Sequence, residues 1–308
     1  MPMKLSAAVR RFTKDIDQVA RAPFYPTMPP HVFHYTRRDG LEKILATRKL
    51  RATHFRRPQG DADELTHMDS RIIDAVKELR RTAVGRTSGA SQVLGAFLER
   101  YDRDKVASFP MFQTYIGCFS TDPEGARMWH DFADRGHGYC FGLKLTQERA
   151  RKVPGVSVAL LPVVYDLASQ QDLFARTARR VLHRLNNSTC ARNPEAQRQA
   201  LATLDSLAAT INSTTKPAER YAHEREWRLV VLLDPPVYGQ PWSAAEVPEH
   251  YYHPLRRNEA DLCALHEVYI GRHCPVGAED DTRSFLRGLG YDLDALTIIR
   301  SSVEPKKI

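Results

Sequence analysis

The chain has no uninterrupted apolar run near the roughly 20 residues that a membrane span requires, so no crossing helix and no membrane partner are expected. Cysteine is scarce: Cys118, Cys140, Cys190, Cys263 and Cys274 are odd in number and scattered. Reduced thiols in a cytoplasmic setting are therefore expected rather than a disulfide framework. The basic residues near the N-terminus are followed by no apolar stretch, so no secretory signal is expected. A phosphate-cradling Gly-rich loop of the P-loop or Rossmann kind is missing, as are any repeat period and any low-complexity segment. What is abundant is positive charge. Lys and Arg number 45 against 37 Asp and Glu, a formal net charge of +8. Such a balance favours a polyanionic partner, DNA or RNA first and a phosphate-bearing cofactor second. At 308 residues and 42 % hydrophobic, the chain can bury an ample core.

Residues 1–30 read as an N-terminal helical appendage, with helical periodicity from Leu5 to Ala22 and a Pro-rich break at Pro26, Pro29 and Pro30. Residues 31–308 read as a single α+β domain. Val32–Thr36 is a strand, Arg37–Gly40 a turn, Leu41–Thr47 a helix and Leu50–Phe55 a strand. Two amphipathic helices follow between about 70 and 104 as an inserted layer. Phe112–Ser120 is the next strand. Its exit, Thr121-Asp122-Pro123-Glu124, supplies an N-capping side chain, proline at the first helical position and an acid in the first turn, so a helix is expected from Pro123 to Ala133. On that helix Trp129 is either a core anchor or an aromatic wall of the pocket that Ser120 faces. Tyr139–Leu145 should lie in the sheet centre, and Val158–Tyr165 is another strand. A second helical insertion, about 169–212, breaks near Asn193-Pro194. Its first part carries Arg176, Arg179, Arg180, Arg184 and Arg192, either a solvated face or a track for a phosphate backbone. Glu267–Gly271, Gly277–Leu289 and Leu296–Arg300 close the chain as strand, helix and strand.

The stretch Tyr221–Leu233 organises the rest. It opens charged and ends in an aliphatic run, as a strand does when one end surfaces into a cleft. Alternation along a strand would set Glu224, Glu226 and Arg228 on one side and Arg225, Trp227 and Leu229 on the other. The alternative is an edge strand with solvated, mutually paired charges. Rival chemistries are weaker. Cys263, His266, His273 and Cys274 are zinc-ligand types, but their spacing matches no common pattern and no metal is expected there. Gly60–Glu64 reads as a solvated acidic loop rather than a cation site. Cys118 and Cys140 sit in apolar strand sequence, which raises a thiol pKa and disfavours nucleophilic catalysis. Three separated strand ends survive: His34-Tyr35-Thr36, Ser120-Thr121 and Glu224-Arg225-Glu226.

The order His34-Tyr35-Thr36, Leu41–Leu45, Cys118-Phe119-Ser120, Met128-Trp129, Gly138–Phe141 and Glu224–Arg228 resembles the bacterial family known as domain of unknown function 2971, over about residues 31–275. Gly60–Glu64 departs from it, where an Asn-Asp-Pro type turn would be expected. That pattern is in turn similar to ADP-ribosyltransferases, which bind NAD in a cleft of a split β-sheet. The remoter resemblance implies a split-sheet core with helical insertions, with His34 at the first-strand position, Ser120 and Thr121 at the second and Glu226 at the late-strand acid, with Glu224 completing Glu-x-Glu. It implies catalysis by Glu226, Glu224 and His34, and NAD contacts from His34, Tyr35, Thr36, Ser120, Thr121 and Trp129, with Tyr35 or Trp129 stacking on nicotinamide. NAD would be the substrate and a macromolecule the acceptor, as in a toxin or defence protein. Nucleic acid is favoured by the basic surface and a protein arginine by the Glu-x-Glu pair, and a neutralising partner protein stays open. Three alternatives are a nucleic-acid-binding or nuclease domain using His34, Glu226 and Arg228 on phosphate, an NAD glycohydrolase and an inactive nucleotide sensor.

Overall fold

The computed structural model describes residues 29–55, 68–82, 89–103, 113–145, 150–153, 156–233, 250–254 and 263–307, together with 8, 9, 11, 12 and 15. Most of the first helix, the Gly60–Glu64 loop and the Pro235–Pro248 segment lie outside the described residues. The chain folds as an α+β protein around a ten-stranded, mostly antiparallel sheet in the order β10-β9-β4-β1-β3-β7-β6-β5. The strands are β1 (His31–Thr36), β2 (Lys49–His54), β3 (Gln113–Ser120), β4 (Tyr139–Leu145), β5 (Ala150–Val153), β6 (Val156–Pro162), β7 (Glu226–Leu233), β8 (His250–Pro254), β9 (Cys263–Ile270) and β10 (Thr297–Arg300). Outside that path, β2 pairs with β3 and with β8. Among the described strands only β9 and β10 pair in parallel.

The aliphatic run Leu229–Leu232 explains why β7 is central. Alternate residues bury into different cores, Val230 and Leu232 against the helical layer, Leu229 and Val231 against the other face. A strand buried on both sides belongs inside a sheet, and β7 lies between β3 and β6 over its whole length. The edge-strand alternative is therefore overturned.

One junction is different. β1 pairs with β4 through six residues, but meets β3 at a single registered pair, Phe33 with Ser120. Beyond that pair the two strands part, and β2 takes over the edge of β3 at Ile116 and Tyr115.

The two helical insertions form one layer. α2 (Asp69–Thr82), α3 (Gly89–Arg103), α5 (Leu167–Asn186) and α6 (Pro194–Ser213) share a core that includes Ile72, Leu94, Phe97, Phe174 and Leu204. Val9 and Phe12 bury in the same core, so this part of the N-terminal segment packs on the layer. The ends of α5 and α6 are set by sequence: Asp166 caps the first by accepting from Ser169 N, and Asn193, ahead of Pro194, caps the second. Asp205 of α6 is buried and receives Arg100 Nη1 at 3.0 Å. Burial pushes its carboxyl up to about 7 against the pull of Arg100. Its folded pKa exceeds its unfolded value of about 3.9, so its contribution to stability is full below the unfolded value and is lost as pH rises through the folded one. Wild type should therefore lose stability relative to Asp205→Asn between about pH 5 and about pH 8. Urea unfolding of both proteins at the two pH values checks this, and a constant difference would refute it.

Three local expectations are corrected. The turn Arg37–Gly40 is mostly helix: α1 spans Arg38–Thr47. The helix expected from Pro123 begins later, as α4 (Ala126–Asp131). Asp122 Oδ1 accepts from Glu124 N and Tyr35 Oη accepts from Gly125 N, so these donors are satisfied in a turn and propagate no helix. The strand expected from Tyr221 starts only at Glu226, because Ala222–Glu224 is a 3-10 turn and Arg225 adopts a left-handed φ of 44°. α7 (Ala278–Gly288) packs beside β9 and β10 through Leu286 in the core of the sheet's other face.

Candidate functional site

Where β1 and β3 part there is a cavity of about 1270 Å³. Its floor on one side is a buried charge network. Arg228 grips Glu226 along one edge of its guanidinium, Nε to Oε1 at 2.8 Å and Nη2 to Oε2 at 3.2 Å. Lys216 Nζ bridges the acids, 2.7 Å from Glu226 Oε2 and 2.6 Å from Glu224 Oε2. The remaining arm of Arg228 donates to the Ser213 carbonyl at 2.7 Å. Burial disfavours charge on Glu226, but Arg228 and Lys216 outweigh it and hold the carboxyl well below the usual range. Glu224 goes the other way: burial pushes it up to about 7, with the negative charge of Glu226 assisting and Lys216 opposing. The network thus contains a permanent anion beside a group that can exchange a proton near neutrality.

His34 presents a different chemistry. Its Nδ1 lies 2.8 Å from the Cys118 carbonyl. A carbonyl only accepts, so Nδ1 carries the hydrogen and Nε2 is left as acceptor. Burial lowers the His34 pKa further, favouring the neutral ring, with the Cys118 carbonyl pulling weakly the other way. Cys118 opens into the cavity, yet enclosure by protein and the charge of Glu226 raise its thiol, which removes it as a nucleophile. Among the charged lining residues cations outnumber anions: Lys43, Lys49 and Arg51 join Lys216 and Arg228, against Asp39, Glu224 and Glu226, beside apolar neighbours such as Ile44, Leu50 and Ile116.

Of the residues singled out in the sequence, His34, Tyr35, Thr36, Ser120, Glu224 and Glu226 all line this cavity. Their roles differ. The Ser120 hydroxyl donates to the Glu224 carbonyl at 2.7 Å and accepts from Asp122 N, fixing the turn that carries Glu224. The Tyr35 hydroxyl donates to the Asp122 carbonyl at 2.6 Å, so it braces the same loop. Thr121 and Trp129 do not line the cavity. Thr121 N donates to the Arg225 carbonyl. Trp129 is fully buried, stacked edge-on against Tyr35, with Nε1 donating to the Pro123 carbonyl. It is the core anchor, and the aromatic-wall alternative falls. Glu224 also owes its place to Lys216 and a turn rather than to strand alternation.

His34 and Glu226 do not stand side by side. Pairing sets Phe33, Ser120 and Glu226 on one face of the sheet, so His34, next along β1, belongs to the other. Both reach the same cavity because it occupies the parting between strands and takes neighbours such as Cys118 and Phe119 from both faces. Lys216 was missed in the sequence. The only signal was its position ahead of Pro217, at the end of the buried polar run Asn212–Thr215. Of the zinc-ligand types, the Cys263 side chain lies outside the described residues, and His266, His273 and Cys274 do not converge: Cys274 Sγ donates to the His137 carbonyl, and His273 lies against Arg135 and Glu304. No protein-family model, no curated protein and no solved structure matches this chain.

Proposed function

We propose that the cavity binds NAD and that the protein transfers ADP-ribose from it to a macromolecular acceptor. The observation that carries this reading is that His34, Ser120 and Glu226, far apart in sequence, meet at one cavity where the sheet parts. A parted sheet with those residue types on its first, middle and late strands is what the resemblance to ADP-ribosyltransferases implies. The excess of cations, Lys43, Lys49 and Arg51 included, suits a pyrophosphate.

In this reading the bond between nicotinamide and ribose C1′ breaks, and nicotinamide leaves with the bonding pair and becomes neutral. The acceptor nucleophile bonds to C1′ and its proton passes to Glu224, whose pKa near neutrality suits a general base. Glu226 supplies a fixed negative charge beside the oxocarbenium-like centre. A ribose hydroxyl would donate to its carboxylate in place of the Cys118 thiol, a neutral donor beside Arg228 and Lys216. His34 accepts through Nε2 from a hydroxyl of the same nucleotide, from the opposite face of the sheet.

The acceptor is nucleic acid. The exposed face of α5 carries Arg176, Arg179, Arg180 and Arg184, suited to a phosphate backbone. The same face supports a second reading, a nucleic-acid-binding domain without NAD chemistry. Incubation with NAD labelled in the adenylate half, in separate pools of DNA, RNA and protein, tests both. Release of nicotinamide with label entering nucleic acid is expected. Absence of release, with no rise in melting temperature on adding NAD, would leave the second reading.

A further inference from the structure

We propose that His31, His266 and Glu267 form a binding site for a divalent transition metal ion of the zinc class. None of the three lines the cavity between β1 and β3. His31 Nδ1 lies 3.9 Å, and His266 Nε2 3.8 Å, from Glu267 Oε1. The three donor atoms all fall within 4.8 Å of one another. Tetrahedral coordination with bonds of about 2.0–2.2 Å places donor atoms about 3.4 Å apart, so the three partly exposed side chains complete the set by closing about half an ångström on Glu267 and at most about 1.4 Å between any two donors.

The backbone is shaped for this convergence. Consecutive residues of a strand normally point to opposite faces, which would separate His266 from Glu267. The β4–β9 ladder breaks register here: Gly142 pairs with Glu267, but Leu143 pairs with Leu265, leaving His266 as the extra residue of a bulge. Such a bulge re-aims one side chain, and the His266 ring stacks on His31 with centroids 4.8 Å apart. Glu267 and His31 come from strands separated by β4, where Gly142 provides no side chain to intervene. A Cβ there would meet Phe33 Cε1 at 2.8 Å and Glu267 Cβ at 3.2 Å.

A supporting shell is also present. Tyr269 Oη donates to Glu267 Oε2 at 3.0 Å, which orients the carboxylate and leaves Oε1 toward the histidines. A hydrogen-bonded carboxylate of this kind is what metal ligands use to fix geometry. Two imidazoles and one carboxylate suit Zn²⁺ and its neighbours rather than Mg²⁺ or Ca²⁺, and three protein ligands leave one position open to water. The side chains of His31 and His266 are 27 % and 38 % exposed, so an ion reaches them from solvent.

Titration of the purified full chain with Co²⁺, followed by its visible d–d absorption and by competition with Zn²⁺, tests the site. One competable equivalent with tetrahedral-type bands is expected. His266→Gln and Glu267→Gln should each weaken binding by at least about 10-fold, and Tyr269→Phe by about 10-fold. His273→Ala should leave it unchanged. Circular dichroism confirms that each variant is folded. The same Co²⁺ titration in wild type and His266→Gln, or no bands in either, would show an ion-pair cluster only. The readout is independent of NAD turnover, so this site and the cavity stand or fall separately.

Discussion

Glu226→Gln is expected to lower nicotinamide release from NAD by at least about 10²-fold, the low end for a positioned electrostatic or acid-base group. The substitution keeps the shape of the side chain and removes the anion that burial would suppress but Arg228 and Lys216 preserve. A fall in kcat with little change in KM would mark a charge used only in the transition state. Glu224→Gln should act differently. In wild type, the rate should climb as pH rises through about 7, where Glu224 loses its proton and becomes a base. The Glu224→Gln variant should be slower and should lose that limb. Initial rates across pH for the three proteins decide the matter. Undiminished turnover in Glu226→Gln would remove the catalytic assignment, whereas inactivity of wild type would remove the function itself.

Arg228→Met is expected to destabilise the protein by about 3–5 kcal/mol, since removing one partner of a buried pair strands the other. Arg228 is 1 % exposed and Glu226 is 4 % exposed, so water in the cavity they line replaces the lost contact only in part. The value should fall toward the lower end because Lys216 remains against Glu226. Removing both charges together, as Arg228→Met with Glu226→Leu, leaves Lys216 balanced by Glu224. The double variant should therefore lose clearly less than the sum of the two single changes. Urea midpoints at constant slope measure the coupling. Strict additivity would mean that the four charges do not act as a unit.

Much of the architecture was legible because the chain marks it locally. Leu229–Leu233 is aliphatic at every position, which only a strand covered on both sides tolerates, and Asn193-Pro194 marks a helix start by its chemistry. The site was legible in part. His34, Ser120 and Glu226 stood out as polar groups at strand ends, and all three line one cavity. What alternation suggested for Glu224 and Arg225 failed, since a charged stretch reads alike in a strand and in a tight turn. The tie from Ser120 to the Glu224 carbonyl, which holds that turn, comes from 104 residues away. Lys216 was hidden for a similar reason: its role depends on where the end of α6 lies relative to β7, which no local pattern encodes. The bulge at His266 is likewise a property of two paired strands and invisible in either one.

The single pair joining β1 to β3 has a mechanical meaning. A sheet resists shear through its rungs, and this seam has one, Phe33 with Ser120, where the neighbouring joints of these strands have six and eight. Backbone pairing therefore ties the blocks on either side less firmly here than elsewhere, and a shared core, with Val32 and Phe141 on one side and Tyr115 and Leu229 on the other, carries the rest. A molecule lodged in the opening would serve as a strut between them, and its arrival should be felt as slower amide exchange along both flanking strands.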